Sequence, residues 1–543
     1  MPPAPGLRSR SLDVLLPSFL YVGFELVARH AFGLEMGIAW HHAQLLDPVD
    51  LMERPLPSLL LLHGQPPLFN ALLAAAVQGE VRLGVAASAS LSACFAALGL
   101  LSANLFYRTL RALTASRWIA AAGLVALLSD PAFAWFRHFG FYPFLLLSFH
   151  VGLTWGAARY LRRGTLGGLA ACSACVALLS LTRTLYHPLW AAGTLALLLA
   201  LRAARTGLAG ALPRHGAPVL AAAAVLLLAW PVKNLLVFGQ LTSSSWQGWN
   251  LINATEVDAG ALSEFWREGR FPGELAEAVP IPAWIDAEGR ESLTRPRKRW
   301  PWPEDEKPVE WVREGEVPNG NHLIFLVENR ELSSQGVRWR LENPSRWLAS
   351  AWTYYVNYTH LPSIVPYAPG ESGRPYEWTL EGSGHPRYAS YTAAYVRLLY
   401  FDAFALWNAL FPGLPQAGDM AGRSWFVARL PFYGAVVLPA VLAFAAFSAW
   451  RFARRRSWRQ ALLALCLSAI VWNLAVSVLT DGWESMRFRF ATAPMALVVL
   501  CSMAAGLRHR LRLRHRARLR ARRRGDAAQP SPSSAAGTSG SKR

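Results

Sequence analysis

Acidic and basic side chains stand near the ends of several apolar stretches of this sequence. The set comprises Glu35, Asp47, Arg183, Lys233, Arg487 and Arg489. A carboxylate can take the proton of an attacking hydroxyl group, and the planar fork of an arginine matches the oxygens of a phosphate. If these residues share one side of a membrane, they predict a reaction in which a phosphate is held, or leaves, beside cations.

The elements that must position these residues are apolar helices. The chain has 543 residues, of which 53% are hydrophobic and 16% charged, whereas a soluble chain carries about 25% charged residues. The apolar residues fall into runs of about twenty, the length that crosses a bilayer. We therefore predict an all-α polytopic membrane protein with about ten transmembrane helices. They are expected near 12–32, 85–107, 118–136, 140–158, 165–182, 186–201, 217–238, 428–450, 460–479 and 488–507.

Arginines test this assignment, because they collect in the cytoplasmic connections of membrane proteins. They cluster in every second connection, for example at 159–163 and 451–459, and again in the tail. Both termini are therefore predicted to be cytoplasmic. The net charge of +20 follows from the same rule and from attraction to anionic headgroups, so we expect no nucleic-acid partner.

Four regions follow from these spans. Residues 1–238 form a module of about seven spans with a large first extracytoplasmic loop at 33–82. Residues 239–391 form an extracytoplasmic domain or long loop. Residues 392–507 hold an interfacial helix at 393–411 and three spans, and residues 508–543 are a basic, disordered tail.

Polar residues near membrane depth are functional candidates because their burial is costly. Here they lie on the extracytoplasmic side and come from six separate segments of the chain. The alternative for any single arginine or lysine is that its side chain merely reaches the aqueous surface. Arg183, Lys233 and Arg489 stand on the side that should be depleted of cations, which favours a role in binding an anion.

Three strings give this pattern a resemblance to a known family. They are LHGQPPLFN at 62–70, WPVKNLLVFGQLTSSSWQGWNL at 230–251 and ESMRFRFATAP at 484–494. Each resembles a string of the protein O-mannosyltransferases and aminoarabinose transferases, and the three occur in the family order. The resemblance implies a GT-C membrane glycosyltransferase that uses a polyprenyl-phosphate sugar as donor.

The resemblance also implies that an acidic residue early in the first outer loop is the catalytic base. Asp47 has the family's residue type, whereas Glu35 has the closer spacing to the Pro66–Pro67 pair, so both stay candidates. A structural alternative for Asp47 is capping of a helix that begins at Pro48.

The remaining candidates would bind substrate. Arg183, Lys233, Arg487 and Arg489 would surround the donor phosphate; Lys233 replaces the family's usual arginine and offers a point charge rather than a fork. Further substrate contacts are expected from His63, Gln65, Asn234, Trp246 and Glu484. The alternatives are a structural histidine for His63 and an interfacial anchor for Trp246.

Together these observations predict an inverting transfer of a hexose or pentose from a polyprenyl-phosphate donor to an extracytoplasmic hydroxyl group. The acceptor would be a glycan, a lipid or a protein, and the location a bacterial inner membrane of the cell envelope. Outer-loop carboxylates could bind a divalent metal, although the sequence contains no recognisable spacing of metal ligands. The alternatives are a transporter or flippase for an anionic lipid and a non-catalytic membrane scaffold.

Overall fold

A computed structural model describes most of the chain. The described residues are 7–40, 42–252, 255–268, 281–299, 301, 317–359, 390–392, 433–481 and 485–528. The predicted interfacial helix at 393–411 lies outside them.

The described residues are mainly helical, as the apolar runs predict. The first half contains α1 Leu7–Leu26, β1 Gly37–Ile38, α2 Pro48–Glu53, α3 Pro55–Leu61, α4 Leu68–Leu83, α5 Ala87–Thr114, α6 Arg117–Leu128, α7 Pro131–His138, β2 Phe139–Gly140, α8 Pro143–Arg163, α9 Leu166–Thr182, α10 Pro188–Thr206 and α11 Gly216–Phe238. The second half contains α12 Gln247–Ile252, α13 Ala261–Glu268, α14 Ala287–Thr294, α15 Ile324–Glu342, α16 Pro344–Thr359, α17 Leu438–Arg455, α18 Trp458–Val476 and α19 Ser485–Ala528.

Each predicted span coincides with a helix, but fewer helices meet the requirements for crossing a bilayer. Among the described residues six are long and apolar enough, or seven if α6 and α7, which meet at an angle of 59°, form one broken span. α9 is apolar but shorter. The chain is therefore a multi-pass membrane protein, while the predicted count of ten is not reached by length and composition.

Local sequence signals account for several helix boundaries. Asp47 caps α2 by accepting hydrogen bonds from the backbone N–H groups of Val49 and Asp50, with Pro48 at the first helical position. Asp130 and Pro131 begin α7 in the same way. Aspartate followed by proline suits a helix start, because proline lacks the N–H group that would otherwise need a partner there.

The first outer loop and the segment after α11 pack against each other. One apolar cluster joins Leu61 of α3, Val237 and Phe238 at the end of α11, and residues of the later segment, among them Ile285 and Leu323. A second cluster buries Trp246 against α15. The segment after residue 239 therefore has helices and apolar clusters of its own, and it covers the first outer loop.

Two small features depart from the predictions. A parallel pair of two-residue strands joins Gly37 to Phe139 and Ile38 to Gly140, so the segment 33–82 contains a short strand. The tail predicted to be disordered from residue 508 is helical as far as Ala528, because α19 continues without interruption beyond its apolar part.

Candidate functional site

Arg183 is the centre of the candidate site. It ends α9, where its backbone becomes extended and a short 3₁₀ turn over Thr184–Tyr186 follows. The side chain is 2% exposed. Its Nη1 donates hydrogen bonds to Oε1 of Gln44 at 2.8 Å and to Oε1 of Gln65 at 3.0 Å. Two residues of the first outer loop therefore hold the guanidinium in place.

Aromatic rings complete the seat of this guanidinium. Its central carbon lies 5.0 Å from the ring centroid of Tyr142 and 5.5 Å from that of Phe488. Both distances lie within the range of a cation–π contact. Phe488 precedes Arg489 in α19, so the fold brings the C-terminal end of α9 against the start of the last helix.

A pocket of about 210 Å³ opens beside Arg183. Its polar lining consists of Arg183, Thr184, His187, Ser243, Ser244, Gln247 and Asn250. Its apolar lining consists of Leu185, Leu251, Trp472 and Val476. No carboxylate occurs among these lining residues. The combination of a guanidinium, hydroxyl and carboxamide groups with an apolar wall suits an anion that carries a hydrocarbon chain.

Backbone segments cross closely beside this pocket. A Cβ atom on Gly64 would lie 2.5 Å from the carbonyl oxygen of Gly320, and one on Gly320 would lie 2.2 Å from that of Ala43. Asn321 accepts hydrogen bonds at Oδ1 from the N–H groups of His63, at 2.7 Å, and Gly64, at 3.1 Å. The loop that carries Gln65 is therefore fixed by the Asn-Gly-Asn sequence at 319–321.

Asp47 lies in a cluster of ion pairs. Its Oδ2 is 3.1 Å from Nη1 of Arg295 and accepts a hydrogen bond from the backbone N–H of Arg299 at 2.7 Å. The side chain is 4% exposed. Burial, and then the neighbouring charge of Asp50, raise the pKa of Asp47 above its ordinary value. Asp47 thus has the capping role of the structural alternative and also joins the outer loop to the segment before Arg299.

Glu35, the other candidate base, is exposed and stands just before the short strand β1. The two carboxylates therefore have different surroundings. Asp47 is buried among arginines, whereas Glu35 is exposed to solvent. Asp47 is closer in sequence to the Arg183 seat, because Gln44 precedes it by three residues. Three residues span at most about 11 Å between Cα atoms.

Lys233 and Asn234 lie in the last turns of α11. Nζ of Lys233 donates a hydrogen bond to the carbonyl oxygen of Leu62 and stands 3.7 Å from the ring centroid of Trp230. Asn234 is fully buried and donates to the carbonyl oxygen of Thr242 at 2.7 Å. In this structure Lys233 fixes the loop at Leu62 and Asn234 fixes the loop at Thr242, and these loops border the pocket.

The cations of the last helix are described in part. Arg489 is 4% exposed, lies 4.5 Å from the ring centroid of Tyr433 and interacts electrostatically with Asp130. Glu484 and the side chain of Arg487 lie outside the described part of the chain. Arg489 and Arg183 are thus brought to the same end of the bundle through the Phe488 contact.

His63, Gln65 and Trp246 are buried. Nδ1 of His63 lies 2.7 Å from Oγ of Ser245, and burial keeps the pKa of His63 well below its ordinary value, so the ring is neutral near pH 7. Nε1 of Trp246 donates to the carbonyl oxygen of Gly320 at 2.7 Å, and its ring stacks on Phe325. Gln65 contacts Arg183 directly, whereas His63 and Trp246 support the loops.

Sequence reasoning missed a buried polar cluster at the C-terminal end of α1. Nε of Arg137 lies 2.7 Å from Oε1 of Glu25, and Tyr21 also donates a hydrogen bond to that carboxylate. His138 lies 3.5 Å from its other oxygen. The sequence signal that could have found this cluster is Glu25, an acidic residue inside an apolar run.

The arginines that pair with Asp47 and the Asn-Gly-Asn sequence were also missed. Arg295 and Arg299 lie in a charged stretch that resembles any solvated loop, and their partners are about 250 residues away in the sequence. For a metal, the described residues contain no group of three or more His, Cys, Asp or Glu side chains that could hold one.

No family model and no curated protein matches this sequence. Two solved structures are similar to it. The archaeal oligosaccharyltransferase AglB from Archaeoglobus fulgidus, in complex with an inhibitory peptide and a dolichol-phosphate, aligns over 94% of this chain and 52% of its own length, with 12% identity and a TM-score of 0.39. ArnT from Cupriavidus metallidurans, bound to undecaprenyl phosphate, aligns over 91% of this chain and 78% of its own, with 13% identity and a TM-score of 0.30. This chain spans about half the length of AglB.

Proposed function

We propose that this protein is a membrane glycosyltransferase that moves a sugar from a polyprenyl-phosphate donor to an acceptor hydroxyl group on the extracytoplasmic side. The observation that carries the proposal is the pocket beside Arg183. A buried guanidinium, held by Gln44 and Gln65, lines it together with hydroxyl and carboxamide groups. This is the chemistry that binds a phosphate.

The apolar wall of the pocket supports a lipid rather than a free phosphate. Leu185, Trp472 and Val476 line it. Leu189, at the start of α10 and two residues after the lining residue His187, is 76% exposed. A polyprenyl chain bound along such helices would add about 0.8 kcal/mol for each buried CH₂ group. Arg489 and Lys233 would supply further positive charge around the phosphate. The resemblance implies the same role for Arg487 and a substrate contact for Glu484.

In the proposed reaction the oxygen of the acceptor hydroxyl attacks the anomeric carbon of the sugar. The bond from that carbon to the phosphate oxygen breaks on the opposite face, so the configuration inverts. The polyprenyl phosphate leaves with the bonding electrons, stabilised by the guanidinium of Arg183. Asp47 or Glu35 takes the proton of the attacking hydroxyl; Asp47 needs to exchange part of its pairing with Arg295 to do so.

The remaining details belong to the same proposal. The proposed topology has ten spans, with both termini in the cytoplasm and the protein in an inner membrane. The proposed regions are a first module at 1–238 with its outer loop at 33–82, an outer domain at 239–391, and three spans after the interfacial helix. The acceptor is a glycan, lipid or protein. A divalent metal is not required by the proposed step.

The test is release of polyprenyl phosphate by the purified protein from a panel of polyprenyl-phosphate sugars. We expect release with at least one donor, and its loss in Arg183→Ala and in either Asp47→Asn or Glu35→Gln. Retention of lipid binding without release from any donor would contradict the proposal and favour a transporter or a scaffold. Thermal unfolding of each variant distinguishes lost chemistry from lost folding.

A further inference from the structure

The last helix extends far beyond the part that packs in the bundle. Phe488 of α19 contacts Arg183 at the candidate site, and the helix then runs to Ala528. Every residue from Gly506 to Arg520 is exposed. This segment therefore emerges at the membrane face opposite to the candidate site.

The segment is strongly basic and also carries apolar side chains. Seven arginines and no acidic residue occur from Arg508 to Arg520. Among them stand four exposed leucines, namely Leu507 at 60%, Leu511 at 55%, Leu513 at 51% and Leu519 at 45% exposure. One shallow groove of about 650 Å³ is lined by leucines and arginines together with His515. Such exposed leucines are unfavourable in water and suited to the boundary between headgroups and acyl chains.

We propose that residues 507–520 bind the acidic phospholipids of the leaflet at that face. Arginines next to a membrane span are attracted to anionic headgroups, and the exposed leucines would enter the acyl boundary beside them. The leucines favour a lipid surface over a nucleic acid, which would be bound by the charge alone. This interaction does not depend on the proposed transfer reaction.

The geometry adds a condition to the proposal. From Arg508 to Arg520 the helix measures about 18 Å, whereas charges are screened beyond about 8 Å at physiological salt. An upright helix would leave its last arginines outside the field of the headgroups, so the segment must lie along the surface. The helix α19 is continuous in the structure, so it would bend on binding. Gly506 is the place for this bend, because glycine weakens a helix and no atom within 4 Å of a Cβ built there would hinder the movement.

The experiment uses the full-length Ala517→Cys protein, labelled with an environment-sensitive fluorophore and placed in nanodiscs. The discs contain phosphatidylcholine alone or with phosphatidylglycerol, and the labelled parent protein corrects for the native cysteines. We expect a blue-shifted emission with phosphatidylglycerol, reversal of the shift at high salt, and a smaller shift in Gly506→Ala. Equal emission in the two lipids would overturn the proposal.

Two sets of variants complete the test. Replacing Arg512, Arg514, Arg516 and Arg518 by glutamine should weaken the association more than about a hundredfold, given the contribution of each arginine at a membrane surface. The matched control replaces Arg454 and Arg455, at the end of α17, and should keep the shift. A stronger response to RNA in phosphatidylcholine discs than to phosphatidylglycerol would assign the segment to nucleic acid and contradict the proposal. Release of polyprenyl phosphate should be unchanged in all of them.

Discussion

Two polar cavities of this protein use arginine in different ways. The pocket at Arg183 measures about 210 Å³ and is lined by hydroxyl, carboxamide and apolar side chains. The cavity between α3 and α14 measures about 560 Å³ and is lined by four carboxylates and three arginines, together with smaller polar and apolar groups. Its carboxylates belong to Asp50, Glu53, Glu288 and Glu291, and its arginines are Arg54, Arg295 and Arg299.

The difference lies in what the guanidinium groups contact. Arg183 donates to the carboxamide oxygens of Gln44 and Gln65. Arg295, by contrast, lies 3.1 Å from Asp47 and 3.7 Å from Asp50. A guanidinium that meets carboxylates forms a clamp between segments, whereas one that lines a pocket of neutral groups can act on what enters the pocket. Similar residue types thus predict binding at one place and stability at the other.

The largest effect is expected at Arg183. Arg183→Ala should lower the rate of polyprenyl phosphate release about 100- to 1,000-fold, the range found when one donor to a developing anion is removed. Arg183→Lys should recover part of the rate, because lysine keeps the charge but not the fork. The measurement is the initial rate of release at saturating donor.

The matched control for this prediction is Arg346→Ala. Arg346 forms an exposed ion pair with Glu256 at 2.7 Å, and exposed pairs contribute little. The comparison breaks down if Arg346→Ala and Arg183→Ala lower the rate equally, since the pocket would then have no special role.

The second effect is on stability. Arg295→Ala removes one of the two arginines that contact the buried carboxylates of Asp47 and Asp50, and Arg299 remains. The free energy of unfolding should therefore fall by about 2 kcal/mol, less than for a buried pair that loses its sole partner. Asp47→Asn keeps a capping side chain but loses the ion pairs, so its loss should be smaller. Thermal unfolding in detergent, with each variant at the same protein concentration, measures both.

Arg338→Ala provides the control. Arg338 forms an exposed bond to Glu342 within α15, and its loss should change the free energy of unfolding by less than about 0.5 kcal/mol. A double-mutant cycle between Arg295→Ala and Asp50→Asn then isolates the pair energy. A coupling near zero would mean that the cavity is not a clamp.

The sequence predicted the apolar helices and the position of Arg183 at the end of one of them, but neither the other residues that line its pocket nor the contacts around Asp47. Apolar runs and arginine distribution follow from the bilayer, which acts on each segment separately. The pairing of Asp47 with Arg295 depends on packing between residues 248 apart in the sequence, which no local pattern reports. Capping by Asp47 was foreseeable because Pro48 follows it, and it was confirmed.

The third effect tests whether the Asn-Gly-Asn sequence at 319–321 positions the pocket. Asn321→Ala removes the acceptor for the N–H groups of His63 and Gly64 and should loosen the loop that holds Gln65. A single buried donor left unsatisfied costs about 1–3 kcal/mol. We expect a roughly tenfold rise in the KM for the donor with a smaller change in kcat.

Asn321→Asp serves as the conservative variant, because it keeps an acceptor oxygen and should recover part of the donor affinity. Asn343→Ala is the control, since that side chain donates only to the carbonyl oxygen of Trp339 at the end of α15 among the described contacts. Equal losses in kcat and in stability, with an unchanged KM, would show that Asn321 supports the fold without positioning the pocket.

The smallest effect concerns Lys298, which lies between Arg295 and Arg299 in the sequence and tests the cavity that these arginines line. Its Nζ donates to the carbonyl oxygens of Trp40, at 3.3 Å, and His42, at 2.6 Å, and burial lowers its pKa to about 7. A lowered pKa means that the folded protein prefers the neutral amine, so this contribution to stability is present above the ordinary pKa and is lost as the pH falls through about 7. The Tm should therefore rise by a few degrees between pH 7 and pH 9.

Lys298→Met should remove that rise, because methionine has no proton to bind. If the variant and the parent protein show the same dependence on pH, the buried amine of Lys298 is not the group that titrates.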